Sequence, residues 1–192
     1  MNQKSLAIIT ARGGSKRIPR KNIKDFCGKP IIAYSIEAAL EAGCFDTVMV
    51  STDDEEIAQI AKKYGAEVPF LRSERTAGDF ATTADVLMEV FEEYEKRGEK
   101  FDHAACIYPT APFVTAQKLK DGMSQLQEKQ GTMLMPVVAF SFPPQRGVVK
   151  KGEFLEFCYP QYRNSRSQDL ETMYHDCGQF YCYDVEKYRS VR

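Results

Sequence analysis

The sequence contains no apolar run of 18 residues and only two histidines, which lie far apart in the chain. The missing run excludes a candidate transmembrane helix. The polar residues Asn2, Gln3 and Lys4 lead directly into the first apolar segment, so no signal peptide is expected. The six cysteines form no C-x-x-C pair and have no nearby histidine at a ligand spacing. We therefore predict free thiols rather than a zinc site, in a cytoplasmic protein that does not associate with membranes.

Strands and helices alternate along most of the 192 residues, without internal repeats or a low-complexity linker. Apolar segments predict strands at residues 6–9, 47–50, 68–71, 104–108 and 133–138. Between them, helices are predicted to begin after Pro30, Asp53 or Asp54, Thr82 and Thr115. Because repeated β-α units build a parallel sheet, we expect an α/β fold in a single domain over residues 1–192. Its sheet should be mostly parallel, with helices on both faces.

The alternating pattern ends at about Phe140, where Pro143, Pro144 and Gly147 interrupt it. The short apolar segments that follow suit a hairpin that leaves the main sheet, over about residues 140–170. Aromatic side chains are frequent in this region, and a monomer would cover them poorly. We expect a protruding arm that contacts a second subunit. The alternative is that these side chains fold back onto their own sheet.

The loop after the first predicted strand is strongly basic. Residues 12–29 contain seven lysines and arginines and one acid, Asp25, an excess of six positive charges in a chain whose net charge is −1. Gly13 and Gly14 open the loop at the end of the strand, where backbone N–H groups can form an anion-binding nest. Ligands of parallel sheets bind at this end of the strands. The loop therefore predicts a polyphosphate site.

Other interpretations of the basic loop are a solvated charged surface or a nucleic-acid-binding patch. An overall pI near 6.2 and the lack of aromatic residues among the cations argue against nucleic acid. Neither the G-x-x-x-x-G-K-[ST] loop nor the G-x-G-x-x-G fingerprint is present.

Six segments, in this order, resemble the CMP-sialic acid synthetase (acylneuraminate cytidylyltransferase) family: ARGGSKRIPRKN at 11–22, STDDEEIA at 51–58, LRSE at 71–74, FATTADV at 80–86, YPTAPF at 108–113 and RSQDLETMYHDCGQFY at 166–181. The resemblance implies a Rossmann-like, nucleotide-diphospho-sugar transferase-like fold and a homodimer in which the arm completes the partner's sugar site. The implied reaction joins CTP to a nine-carbon acidic sugar, a nonulosonic acid, and releases pyrophosphate. The last two segments most resemble the branch that makes CMP-pseudaminic acid. CMP-N-acetylneuraminate and CMP-legionaminate synthetases are the alternatives.

The resemblance also implies roles for individual residues. The catalytic cations on the triphosphate would be Arg12, Lys16 and Lys21. The nucleotide-binding residues would be Gly13, Gly14, Ser15, Asn22, Arg72, Ala81, Thr82 and Thr83. The sugar-binding residues would be Tyr108, Arg166, Gln168, His175 and Gln179. Tyr108 stands where the sialic acid enzymes have glutamine, which favours a sugar with a more apolar side. Structural alternatives are a helix cap for Thr82, a surface cation for Arg72 and a strand-edge residue for His175. Asp53 and Asp54 are interpreted as helix caps rather than catalytic groups.

The family holds Mg²⁺ through a D-x-D element beyond the last strand, and no such element follows Tyr183 here. Residues 184–192 read as the start of a helix, so the chain resembles the enzyme with its C-terminal end missing. We expect Mg²⁺ as a cofactor bound through the nucleotide and water, with no metal ligands visible in this chain. The alternative functions are a non-catalytic CTP-binding protein and a nucleic-acid-binding domain.

Overall fold

The computed structural model describes residues 3–191. They form two compact units, one that runs to Pro136 and resumes at Gly178, and a smaller one over Val137–Cys177. The strands are β1 Ser5–Thr10, β2 Asp25–Phe26, β3 Lys29–Pro30, β4 Thr47–Ser51, β5 His103–Ile107, β6 Met133–Leu134, β7 Val137–Ala139, β8 Val148–Lys151, β9 Phe154–Phe157, β10 Tyr174–Asp176 and β11 Phe180–Asp184. The helices are α1 Ile31–Ala42, α2 Glu55–Lys63, α3 Glu74–Ala77, α4 Thr83–Lys96, α5 Ala116–Glu128 and α6 Val185–Ser190.

The larger unit is built on a five-stranded sheet in the order β4-β1-β5-β11-β6. Strand β1 pairs in parallel with β4 and β5, and β11 pairs antiparallel with β5 and β6. Side chains of β1 alternate between two cores: Ala7 and Ile9 pack with α1, α2 and α5, whereas Leu6 and Ile8 pack with α4 and α6. Helices thus cover both faces, and the predicted α/β fold with parallel core strands is confirmed. No helix within residues 3–191 is long and apolar enough to cross a membrane.

Two predicted strands differ from the structure, and proline accounts for both differences. Residues 68–71 form no strand; only Glu67 makes an isolated bridge, with Met49. Pro69 lacks the N–H that a ladder needs and restricts the residue before it. The strand predicted at residues 133–138 is divided at Pro136 into β6 and β7, which belong to different units. The predicted helix starts at Thr82 and Thr115 are confirmed, since both side chains cap the following helix.

The smaller unit contains two antiparallel strand pairs, β7 with β10 and β8 with β9. A two-residue loop containing Gly152, in the left-handed conformation at φ 62°, connects β8 to β9. Every residue of these four strands is exposed. The unit is held internally by buried Gln145, whose side-chain amide donates to Glu171 O at 2.8 Å.

Candidate active site

The carboxyl ends of β1, β4 and β5 meet at one edge of the sheet, where the chain leaves a cleft of about 560 Å³. Ten of the predicted site residues line it: Arg12, Ser15, Lys16, Lys21, Asn22, Arg72, Ala81, Thr82, Thr83 and Tyr108. Sequence reasoning missed six further lining residues: Thr10, Arg17, Ile18, Val86, Pro109 and Thr110. All six lie inside or next to the segments that carried the resemblance, so those segments were the signal that could have found them.

The basic loop is fixed in place by the turn between β4 and α2. Gly13 N–H donates to Asp53 Oδ1 at 2.8 Å. Arg20 forms an ion pair with both Asp54 and Glu56, and its Nη2 lies 3.1 Å from Asp54 Oδ1. Asp54 also caps α2 by accepting Ile57 N–H at 3.0 Å. The hydrogen bond from Arg20 lowers the pKa of Asp54. Asp54 is therefore the cap of α2, as predicted, whereas the cap role predicted for Asp53 is wrong, since Asp53 instead accepts Gly13 N–H. Both aspartates hold the loop.

The structure corrects the role predicted for the loop's backbone N–H groups. Gly13 N–H is directed to Asp53, and Ser15 N–H donates to Gly13 O at 2.9 Å, so neither faces an open phosphate position. Gly13 instead permits a close approach, because a Cβ there would lie 2.6 Å from Asp54 Oδ2. Neither Gly13 nor Gly14 lines the cleft. We therefore expect an anion at this loop to contact mainly its side chains.

Two of the three predicted catalytic cations share one carboxylate. Arg12 Nη1 lies 2.9 Å from Asp79 Oδ1 and donates to Gly78 O at 3.2 Å. Lys16 forms an ion pair with the other oxygen of Asp79. The hydrogen bonds from Lys16 and Arg12 lower the pKa of Asp79. Sequence reasoning missed Asp79, although it directly precedes the FATTADV segment.

The inner end of the cleft holds a buried cation and an unpaired amide oxygen. Arg72 is 9% exposed, and its Nε and Nη2 donate to Ser51 Oγ at 3.1 Å and Ser51 O at 2.8 Å. Burial lowers its pKa, and no carboxylate of residues 3–191 lies within ion-pair distance of it. The surface-cation interpretation of Arg72 is therefore wrong. Asn22 is 3% exposed, donates through Nδ2 to Arg12 O at 2.9 Å, and leaves Oδ1 without a partner in the described chain.

Thr82 has the structural role considered for it. Its hydroxyl accepts Asp85 N–H at 3.2 Å, and Asp85 Oδ2 accepts Thr82 N–H at 2.8 Å, which together form a capping box at the start of α4. The Thr82 hydroxyl also donates to Asp85 Oδ2 at 2.6 Å. Thr82 therefore fixes the start of α4 beside the cleft, which Ala81 and Thr83 also line.

The predicted sugar-binding residues are distributed over the two units. In the larger unit, Tyr108 N–H donates to Gln179 O at 2.9 Å, and the Tyr108 ring packs edge-on against Tyr181 at 5.6 Å between centroids. Arg166, Gln168 and His175 belong to the smaller unit and are exposed. Arg166 forms a bidentate pair with Asp169, at 2.7 and 3.1 Å.

The described residues do not fit a protein-held metal ion. Within residues 3–191 no group of three or more His, Cys, Asp or Glu side chains is arranged to hold one. The aspartates nearest the basic loop serve other partners: Asp53 binds Gly13 N–H, Asp54 pairs with Arg20, and Asp79 pairs with Arg12 and Lys16.

Comparison with known proteins decides the family. The family model described as Cytidylyltransferase matches residues 6–179. The chain belongs to the cytidylyltransferase family. Its enzyme class is therefore that of a CTP-dependent nucleotidyltransferase, as the sequence predicted.

Similar proteins agree with this assignment. The chain is 44% identical over 180 residues to pseudaminic acid cytidylyltransferase of Campylobacter jejuni, which covers 93% of this chain and 77% of that protein. It is 34% identical over 153 residues to CMP-N,N′-diacetyllegionaminic acid synthase of Legionella pneumophila, covering 79% and 66%. The solved structure of CMP:2-keto-3-deoxy-manno-octonic acid synthetase, complexed with CTP, matches with a TM-score of 0.73 at 21% identity, over 98% of this chain and 77% of that one. This last likeness supports the fold alone.

Proposed function

We propose that this cytidylyltransferase joins CTP to pseudaminic acid and gives CMP-pseudaminic acid and pyrophosphate. The observation that carries the proposal is the cleft itself. It gathers ten predicted residues at the carboxyl ends of the parallel strands, with Arg12, Lys16, Arg17 and Lys21 among its lining cations. The 44% identity to a pseudaminic acid cytidylyltransferase supports the choice of sugar.

The cations suit nucleotidyl transfer. The anomeric oxygen of the sugar forms a bond to the α-phosphorus, the bond from that phosphorus to the bridging oxygen breaks, and pyrophosphate leaves with the electron pair. The hydroxyl proton passes to water. Such a reaction needs positioning and positive charge where negative charge develops. Arg12 can grip phosphate oxygens in a bidentate manner, whereas Lys16 and Lys21 supply point charges. Mg²⁺ would enter with the nucleotide, since no described residues form a site for it.

Arg72 and Asn22 are proposed to recognise the base. Cytosine offers acceptors at O2 and N3 and a donor at its amino group. A buried guanidinium can supply donors, and the unpaired Asn22 Oδ1 can accept one hydrogen bond from the nucleoside. Buried polar groups that the wrong base would leave unpaired give strong discrimination. These two residues therefore supply the chemistry for selecting a cytidine nucleotide.

Tyr108, which lines the cleft, and Gln179, whose carbonyl accepts Tyr108 N–H, are proposed to contact the sugar. Arg166 is proposed for the sugar carboxylate, and Gln168 and His175 for its hydroxyl or acetamido groups. The support for these three is their chemistry, since a carboxylate needs a cation. Arg166 would have to exchange Asp169 for the sugar carboxylate.

A homodimer is also proposed. The Val137–Cys177 unit exposes many large apolar side chains, from 40% to 77% of each: Val137, Val138, Phe140, Phe142, Val148, Val149, Phe154, Leu155, Phe157, Tyr159, Met173 and Tyr174. Soluble monomers rarely expose so much apolar surface together, and a second copy would cover it. Sedimentation of Phe154→Glu against the parent chain tests this, because loss of the dimer is expected only if the arm is the contact.

A cytoplasmic location is proposed from the six unpaired cysteines, all within residues 3–191.

Pyrophosphate release with CTP and Mg²⁺, measured separately with pseudaminic, legionaminic and N-acetylneuraminic acids, tests the reaction. Release with pseudaminic acid alone is the expected result, and better use of N-acetylneuraminic acid would refute pseudaminic acid as the substrate.

Tyr108→Gln should lower kcat/KM for pseudaminic acid more than Tyr108→Phe, which keeps the ring against Tyr181. Because the described chain has no metal-ligand group, a second candidate is a CTP-binding protein without turnover. Saturable CTP binding with no release from any of the three acids would identify it.

A further inference from the structure

Asp79 forms ion pairs with two of the cations that the proposed reaction needs. One of its oxygens lies 2.9 Å from Arg12 Nη1, and the other pairs with Lys16. Arg12 also donates to the adjacent carbonyl of Gly78 at 3.2 Å. A single carboxylate thus binds two loop cations at the position where a phosphate would have to contact them.

The fold builds this arrangement from both sides. Before Asp79, buried Glu89 on α4 accepts Ser73 N–H at 3.1 Å and the Thr76 hydroxyl, which anchors α3. After Asp79, the capping box at Thr82 fixes the start of α4. Only residues 78–82 connect the two anchored helices. Asp79 is therefore held beside the basic loop, and its side chain remains 38% exposed, so an incoming anion can reach the ion pair.

We propose that Asp79 is an internal counter-ion that competes with the nucleotide's phosphates for Arg12 and Lys16. This inference rests on the proposed function. A carboxylate carries one negative charge, whereas a triphosphate carries several, so a triphosphate displaces Asp79 more readily than a less charged ligand does. Asp79 thus sets how much negative charge the phosphates of a ligand must carry to displace it from Arg12 and Lys16. After pyrophosphate has formed, Asp79 pairs again with Arg12 and Lys16, which favours release of the product.

Binding of CTP, cytidine and inorganic tripolyphosphate to the full chain and to Asp79→Asn, measured by titration calorimetry, tests the proposal. The matched control is Glu93→Gln. Glu93 also pairs with two cations, Lys96 and Arg97, but lies away from the cleft on α4. Exposed ion pairs contribute up to about 1 kcal/mol each, and Asp79 forms two of them, so Asp79→Asn should bind CTP and tripolyphosphate about 3- to 30-fold more tightly. Cytidine affinity should not change, the gain should shrink as salt is added, and Glu93→Gln should behave as the parent.

Unchanged or weaker tripolyphosphate binding by Asp79→Asn would overturn the proposal, and so would failure of both proteins to bind tripolyphosphate. If the parent binds tripolyphosphate but not CTP, the proposed function fails, while tighter tripolyphosphate binding by the variant still supports the counter-ion. A thermal melt verifies that Asp79→Asn is folded. If Asp79→Asn is not folded, Asp79→Ser, which also removes the charge, is used in its place. The same binding outcomes then support or overturn the proposal.

Discussion

Replacing Gly13 with alanine is expected to destabilise the protein, whereas the same change at Gly14 is expected to be tolerated. An alanine Cβ at position 13 would lie 2.6 Å from Asp54 Oδ2 and 2.9 Å from Asp54 Cβ, well inside van der Waals contact. A Cβ at position 14 would have no atom within 4 Å beyond its chain neighbours. The two variants add one methyl group each to consecutive residues, so they differ chiefly in this clash.

Asp54 cannot move away without cost, because it caps α2 and pairs with Arg20. Overpacking of this kind costs about 1–3 kcal/mol. Since the loop is partly exposed and can relax, we expect the lower part of that range, about 1–2 kcal/mol. For a chain of this length that corresponds to a fall in Tm of about 2–8 °C. The same displacement would move Gly13 away from Asp53, so CTP binding should weaken as well.

Thermal unfolding followed by circular dichroism, and CTP titration, should be measured on the parent chain and both variants under the same conditions. The expected order of Tm is parent, then Gly14→Ala within about 1 °C, then Gly13→Ala clearly below. Equal Tm values for the two variants would refute the reasoning. They would mean that Asp54 and the loop separate freely, and that Gly13 has no steric role.

Three further changes test the rest of the site. Lys21→Ala should abolish most pyrophosphate release while Tm stays within about 2 °C, because Lys21 is a partly exposed loop residue; wild-type turnover would remove it from the site. Arg72→Met should weaken CTP binding at least tenfold, about 1.5–3 kcal/mol for a charged hydrogen bond. Tm should change little, since removal of a buried charge offsets the lost hydrogen bonds to Ser51; unchanged calorimetric affinity would contradict the assignment. Asp54→Asn should reduce the acid sensitivity of folding. The hydrogen bond from Arg20 lowers the pKa of Asp54, so this carboxylate stabilises the folded state above its unfolded pKa of about 3.9, and the stability is lost as pH falls through the lowered pKa. Melts from pH 7 to pH 3 should show a smaller acid loss in the variant, and parallel curves would count against the pair.

The sequence predicted those parts of the fold that local chemistry decides. The helix expected after Pro30 is α1, and it ends at Gly43, which has a left-handed φ of 62°. The helix start predicted at Thr82 is also present, as a capping box with Asp85. The strand predicted at residues 68–71 was wrong because the segment is apolar throughout, as a buried strand is, but contains Pro69, which lacks the N–H for a ladder. The antiparallel strand β11 between β5 and β6 was not predicted, because the β-α repeat that indicates a parallel sheet ends before it.

The candidate site was predicted by motif, and its internal contacts were not. Ten site residues converge because each follows or precedes an element at the same sheet edge. Which N–H meets which carboxylate depends on distances of a few tenths of an ångström, and no spacing rule supplies these. The N–H groups of Gly13 and Ser15 were therefore assigned to phosphate, although the structure gives them partners inside the protein.

The charge of the basic loop shows why counting residues overstates a binding site. Its sequence holds seven cations against one acid, yet four of those cations have carboxylate partners: Arg12 and Lys16 at Asp79, Arg20 at Asp54 and Glu56, and Lys29 at Glu37. Those acids lie outside the loop, in segments that a count over residues 12–29 does not include. Within residues 3–191 no ion pair is found for Arg17, Lys21 or Lys24. Since Arg20 supports the loop and Arg12 and Lys16 must exchange a partner, Lys21 and Arg17 are the two loop cations of the cleft that we expect an arriving triphosphate to contact without displacing a carboxylate.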